Sequence, residues 1–236
     1  MILAILQARM SSTRLPGKVL LPIEGAPLIA RQIERAARAH AIDALIVATG
    51  DGPEDDAIAM SIDTPVHRGP QDDVTARILG ALETHPADHV VRLAGNCPLA
   101  DPAVIDACIA LHLKTGADYT SNTPAMHPWP QGLEVEVIRT DALHRAAREA
   151  VTPRAREQVT AGIRAAPDRY DIAWLPGANP DDGEIRWIVD RADDYVFVTE
   201  VYAGLYPGNP EFTTADIRWF MGRRPDLARF GGDRRI

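Results

Sequence analysis

An α/β fold, with a mostly parallel sheet and helices on both faces, follows from three features of the sequence. Short apolar runs at residues 2–6, 44–48 and 89–93 have the length of buried strands. Patterns of helical period separate them, at residues 28–40, after Pro53 and at 73–84. The spacing suits right-handed crossovers, which lay successive strands parallel and put helices on both sides of the sheet.

Taken in order, residues 2–6 are apolar throughout and read as a fully buried strand. Residues 28–40 place Leu28, Ile29, Ile33, Ala36 and Ala37 at helical spacing. Residues 44–48 form the second strand. Pro53 stands where the first turn of a helix begins, and Glu54, Asp55 and Asp56 suit the positive end of its dipole. A helix at 73–84 and a strand at 89–93 follow, then a helix at 102–114 opened by Asp101 and Pro102.

After Ala117 the pattern changes. Residues 120–132 are a loop rich in Pro, Asn and Trp, and 133–138 alternate like a strand. Helices are expected at 141–150, 153–165, 193–205 and 214–221, and strands near 171–175 and 185–189. The tail, 230–236, is expected to be loosely held. No repeat, low-complexity tract or linker marks a second unit. The chain therefore reads as one domain, 1–236, with a substrate-side lobe around 120–175.

The bulk composition excludes several classes. A chain of 236 residues can bury one substantial core. Its net charge of −8 argues against a general nucleic-acid partner, which needs a basic face. Local anion binding stays open, because basic residues gather in the N-terminal segment and near the C-terminal end. Cys97 and Cys108 match no disulfide framework and read as buried thiols in a reducing cytosol. The apolar N-terminus lacks the basic flank and length of a signal peptide. No apolar run approaches the ~20 residues of a membrane span, so the expected location is cytoplasmic.

In open parallel sheets, ligands bind at the carboxyl ends of the strands. The first such loop carries Arg9, Arg14 and Lys18, hydroxyls at Ser11, Ser12 and Thr13, and Gly17, with no acidic residue among them. Cations and backbone N–H donors on one loop suit a polyphosphate; a solvated basic loop is the other reading. Competing motifs fail. GxxxxGK[ST] and GxSxG are absent, and Gly50-Asp51-Gly52 has Asp55 where GxGxxG needs its third glycine. His85 and His89 are spaced like a helical zinc pair, but Pro86 stands between them.

The run QARMSSTRLPGKVL from Gln7 to Leu20 closely resembles the signature of cytidylyltransferases related to spore coat polysaccharide biosynthesis protein F. That group is similar to the enzymes that make CMP-activated acylneuraminate and 3-deoxy-octulosonate sugars. The likeness continues in order: GPQDDVTAR at 69–77, VRLAGNCPLADP at 91–102, QGLEVEV at 131–137, REQVT at 156–160 and RWIVD at 186–190.

The resemblance implies a Rossmann-like nucleotidyltransferase fold and a Mg²⁺-dependent transfer of CMP from CTP to an acidic sugar. It implies that Arg9, Arg14 and Lys18 hold the triphosphate, with Ala8 and Ser11 lining it. Asp73 and Arg77 are implied near the base and ribose, Asp190 at the metal, and Glu134, Glu136, Arg156 and Glu157 at the acceptor. It also suggests a homodimer, through a lobe around 133–165.

The chemistry agrees with those residue types. An acceptor oxygen attacks the α-phosphorus in line and pyrophosphate leaves, so the protein supplies positioning, cations and a carboxylate for Mg²⁺. Asp190 follows a strand-like run and suits that role; a carboxylate opening the next helix is its other reading. Alternation puts Glu134 and Glu136 on one strand face, which a solvated face explains equally. Arg186 and Trp187 can be strand packing.

The match departs from the family at polar positions. Asn96 stands where the family has a metal-binding Asp, keeping an oxygen donor but losing the charge. Asp101 is the nearest acid in sequence, though also a natural N-cap. Gln158 replaces a His, and the family's Asp-Gly-x-Asp-x-Glu becomes Gln131-Gly132-Leu133-Glu134-Val135-Glu136. Two readings stand: an active enzyme whose metal site leans on Asp190, with Asn96 as its neutral partner, or a nucleotide-binding homologue without turnover that acts as a regulatory or assembly partner.

Overall fold

The computed structural model describes the chain except for Met126, Ala178, Gly231 and residues 234–236, so most of the tail expected at 230–236 lies outside the described residues. The order is β1 (Ile2–Gln7), β2 (Pro22–Ile23), β3 (Ala26–Pro27), α1 (Leu28–Ala36), β4 (Ala44–Gly50), α2 (Asp56–Met60), β5 (Val66–Gly69), α3 (Val74–Thr84), β6 (His89–Ala94) and α4 (Pro102–Thr115). Then come β7 (Tyr119–Ser121), β8 (Glu136–Arg139), α5 (Thr140–Glu149), α6 (Pro153–Glu157), α7 (Ala161–Arg164), β9 (Ile172–Trp174), β10 (Ile185–Arg186), α8 (Ala192–Leu205), α9 (Thr214–Met221) and β11 (Gly232–Asp233).

A seven-stranded sheet runs β5-β4-β1-β6-β8-β7-β9. β5, β4, β1 and β6 pair in parallel, and only β8 runs against its neighbours. β1 shows why both faces are covered. Leu3 and Ile5 enter one core with Val74 and Ile78 of α3 and Leu143 of α5. Ala4 and Leu6 enter another with Ile29 of α1 and Ile105 and Ile109 of α4. The strand's alternation thus feeds two helical layers. A third core, off the sheet, packs Phe197 and Val201 of α8 and Ile217 of α9 against Leu28, Trp187 and Val189.

The structure corrects several expected boundaries. Residues 133–135 are not paired in the sheet ladder. The Asn122 side chain donates to Leu133 O (2.7 Å) and accepts from Val135 N (2.9 Å), standing in for a strand. The helix expected over 153–165 breaks into α6 and α7, and the turn between them carries the buried Val159 and Thr160. Residues 187–189, expected to continue the strand, lie outside it, with a bend at Ile188, and pair singly: Trp187 N donates to Gln131 O (2.7 Å) and Val189 N to Asn96 O (2.8 Å). The first helix stops at Ala36, and β5 was not expected at all. Among the described residues, no helix is long and apolar enough to cross a membrane.

Candidate functional site

The chain leaves β1 at the carboxyl edge of the sheet, between β4 and β6. Ala8 N donates to Ala48 O (3.1 Å), extending the strand register by one residue. Asp55, wholly buried before α2, then takes two backbone donors: Met10 N on Oδ1 (2.6 Å) and Gly50 N on Oδ2 (3.0 Å). The loop closes at Gly17, whose φ of +69° suits glycine and whose N–H donates to Met10 O (3.0 Å). A 3-10 turn follows and turns Lys18 inward, where it is 9% exposed. Gln71 donates to the Ser11 hydroxyl (2.6 Å) from the far side.

A cavity of about 350 Å³ opens at this edge. Of the residues singled out in the sequence, it brings together Ala8, Arg9, Arg14, Lys18, Arg77, Asn96, Glu157 and Asp190. Ser11 is not among its lining residues, whereas Ser12 and Thr13 are. Arg77 is buried, donates to Pro70 O (3.2 Å) and leaves Nε without a partner. Burial, and then the charge of Arg9, lower its pKa.

Asp190 faces the loop across this cavity. Lys18 Nζ donates to its Oδ1 (2.6 Å) and to Val189 O (2.8 Å), Arg14 meets Oδ2 (2.8 Å), and Asn96 Nδ2 donates to Oδ1 (3.0 Å). Burial alone would raise this carboxyl, but Lys18 and Arg14 outweigh it and hold it below the usual range. Asp190 does not cap α8. Asp194 does so instead, accepting from Asp190 N (3.0 Å) and Arg191 N (2.9 Å) and pairing with Arg186 (3.0 Å). The buried Trp187 packs in the third core, while Arg186 holds this segment through its Asp194 pair and a hydrogen bond donated to Gln131 Oε1 (2.9 Å).

The remaining sequence-predicted residues divide. Asp73 caps α3 through Ala76 N (2.8 Å) and pairs with Arg156, and neither lines the cavity. Glu136 is buried, pairing with Arg92 and accepting from Tyr119 (2.6 Å) and Thr160 (2.7 Å). Glu134 lies outside the first cavity, accepting from Gly132 N (2.6 Å). Burial raises its carboxyl, with the Asp190 charge adding to the effect. A second cavity of about 740 Å³ is lined by Glu136, Gln158, Thr160, Arg164 and Trp174. Arg92 and Glu157 line both.

Asp101 is committed elsewhere, accepting from Ala103 N (2.9 Å) and Thr214 N (3.0 Å). His89 faces His112 (3.0 Å), and His85 bonds Thr84, so they form no pair. Among the described residues no cluster of three or more His, Cys, Asp or Glu forms a metal centre. Cys97 and Cys108 are free and buried. Sequence reasoning missed Asp55, Arg92 and Asp194. Asp55 looked like a helix-dipole carboxylate, and the contacts it makes depend on the β1–β4 pairing, which leaves no local signal.

The family model described as Cytidylyltransferase matches residues 3–172. The spore coat polysaccharide biosynthesis protein SpsF of Bacillus subtilis is 31% identical, with 96% of each chain covered. A solved cytidylyltransferase from Leptospira borgpetersenii superposes with a TM-score of 0.89 at 24% identity, covering 96% of this chain and 95% of that one. CMP:2-keto-3-deoxy-manno-octonic acid synthetase complexed with CTP superposes at 0.63 and 18% identity, covering 86% and 98%. This chain, with its Rossmann-like nucleotidyltransferase fold, belongs to the cytidylyltransferase family.

Proposed function

We propose that the chain transfers CMP from CTP to an acidic sugar or related acceptor, releasing pyrophosphate, in surface polysaccharide or glycan biosynthesis. The observation that carries this reading is the convergence of Arg14, Lys18 and Arg77 with Asp190 on one cavity. Arg9, Arg14 and Lys18 would neutralise the triphosphate as charge moves onto the leaving pyrophosphate, with Ala8 and Ser11 beside it. Arg77 and Asp73 would serve the nucleoside side. The acceptor would enter from the second cavity, where Arg92 and Glu157 border the nucleotide and Arg164 supplies a cation for an acidic group. Arg156 would act through Asp73, Glu136 through Arg92, and Glu134 from beside Asp190.

The donors present fit a hard divalent cation. Mg²⁺ commonly takes one or two protein carboxylates, with phosphate oxygens and waters completing its shell. Asp190 offers one carboxylate and Asn96 a neutral amide oxygen, so these two would hold it. The ion would stabilise charge on the phosphates. A manganese complex of a structural neighbour from Mycobacterium tuberculosis is compatible with divalent-metal use.

The test is pyrophosphate release from CTP across a panel of acidic sugars in Mg²⁺ and Mn²⁺. Tight CTP binding with no pyrophosphate from any acceptor would favour the second reading, a nucleotide-binding regulatory or assembly partner. The Asn96–Asp190 hydrogen bond favours that alternative, since it satisfies the acid without a metal. We also infer a single cytoplasmic domain, with residues 120–175 forming the substrate side and a homodimer contact.

A further inference from the structure

Three carboxylates line the two cavities: Asp190 the first, Glu136 the second and Glu157 both. Two of them are engaged. Asp190 is held by Lys18, Arg14 and Asn96, and Glu136 by Arg92, Tyr119 and Thr160. A proton arriving at either would have to displace a cation. Glu157 differs. It is exposed, and among the described residues its carboxylate has no hydrogen bond or ion pair. Arg92, the other residue on both walls, is paired with Glu136 and so leaves Glu157 unneutralised. No His or Cys lines either cavity.

The chain fixes where Glu157 stands while leaving its side chain loose. On one side, Arg156 O accepts from Thr75 Oγ1 (2.7 Å) and the Arg156 side chain pairs with Asp73, tying the end of α6 to α3 beside the first cavity. On the other, Thr160 Oγ1 donates to Glu136 (2.7 Å) on the wall of the second cavity. Between these anchors Glu157 ends α6 where the two cavities meet. A free carboxylate there faces a polyanionic nucleotide on one side and an acidic acceptor on the other, and like charges repel. A residue that only bound either substrate would be a cation. A proton acceptor has a use at that point, because the attacking hydroxyl loses its proton where acceptor and nucleotide meet.

We infer that Glu157 is the general base of the transfer, the group that takes the proton of the acceptor hydroxyl. This rests on the transferase reading proposed above. The acceptor oxygen forms its bond to the α-phosphorus as its O–H bond breaks, and the proton passes to a Glu157 carboxylate oxygen. The bond from the α-phosphorus to the bridging oxygen breaks, and its electron pair leaves on pyrophosphate. The proton then exchanges into solvent, to which Glu157 is open.

Pyrophosphate release from CTP in Mg²⁺, with 3-deoxy-manno-octulosonate and N-acetylneuraminate as acceptors, tests this in wild type, Glu157→Gln and Glu157→Ala. Calorimetric CTP titration of the same samples runs beside it. Both variants should melt as wild type does, because the side chain is exposed and unpaired. In both, kcat should fall by about 10²–10⁴-fold, the usual contribution of a general base. CTP affinity should stay equal or rise, since a negative charge facing the phosphates has gone. Added formate or acetate should restore part of the Glu157→Ala rate, and none of the Glu157→Gln rate, where the amide fills the space. A kcat within about tenfold of wild type in either variant overturns the inference. So does a loss of kcat in Glu157→Ala that no added carboxylate relieves, which would make Glu157 a positioning residue. CTP affinity that falls in both variants overturns it as well, by making Glu157 a nucleotide or metal contact. Wild type that binds CTP yet releases no pyrophosphate with either sugar sinks the transferase reading and the base with it, whereas active wild type with active variants sinks the base alone.

Discussion

The Asn96 side-chain amide donates to the Asp190 carboxylate at 3.0 Å, across a separation of 94 residues. That bond joins the loop after β6 to the segment before α8, and Val189 N donating to Asn96 O (2.8 Å) runs beside it. Asn96 is thus built into how Asp190 is held.

Asn96→Asp replaces the donor by a second acid. In EDTA the two carboxylates repel and the hydrogen bond is lost, so the variant should be less stable by about 1–3 kcal/mol. For a chain of this size each kcal/mol is about 2–4 °C in Tm. Mg²⁺ should restore the loss and bind more tightly than to wild type. Thermal melts across a Mg²⁺ titration check both, and an unchanged Mg²⁺ midpoint would show that Asn96 does not limit the metal.

Gly132 places the other strap on the Asp190 segment. It adopts φ +107°, and an added Cβ would meet the Trp187 carbonyl carbon at 2.7 Å. Gly132→Ala should lose about 1–3 kcal/mol from backbone strain alone. It should also loosen the Gln131–Trp187 pairing (2.7 Å), so CTP affinity should fall together with Tm. Urea unfolding and CTP titration of the same sample test the two effects side by side.

The difference between what could and could not be read in the sequence is physical. β1, β4 and β6 are buried on both faces, and an apolar run of strand length is all that such a strand needs. β5, Val66–Gly69, is an edge strand paired only to β4, and its His67 and Arg68 erase the apolar signal. The cations of the first loop were legible because they are close in sequence and share a sign. Their partner was legible only as a candidate, since Asp190, Asp193 and Asp194 are equivalent acids until the fold makes Asp194 the cap. Glu134 and Glu136 were read as equivalents on one strand face. The structure separates them: Glu136 is in the ladder with Arg92, and Glu134 precedes it.

Glu136 also sets an acid limit. Burial would raise its carboxyl, but the Arg92 charge and the Tyr119 and Thr160 hydroxyls outweigh that and hold it below its ordinary 4.5. A carboxyl depressed in the fold contributes stability above its unfolded pKa, which is lost as pH falls through the folded one. Wild type should therefore lose stability below about pH 4.5, and Glu136→Gln should show a shallower slope there. Glu136→Ala should cost about 3–5 kcal/mol near neutral pH, because it strands Arg92 without its partner. Urea unfolding at pH 7, 5 and 4 separates the slope from the baseline loss.

Asp55 gives the most direct test of how the first loop is held. Its two oxygens accept from Met10 N and Gly50 N at 2.6 and 3.0 Å, and it has no exposure to solvent. Asn at this position can accept with one oxygen only, and its amide would then face an N–H donor. Asp55→Asn should cost about 1–3 kcal/mol, the penalty for an unsatisfied buried donor. The functional consequence separates a loop anchor from a core residue. If Met10 N sets the loop, affinity for CTP falls while the fold persists at 25 °C. Affinity unchanged in a destabilised variant would mean the Arg9–Lys18 loop holds its shape through Gly17 and Gln71 instead, whose bonds to Met10 O and Ser11 (3.0 and 2.6 Å) do not involve Asp55. Calorimetric CTP titration alongside a melting curve decides between them.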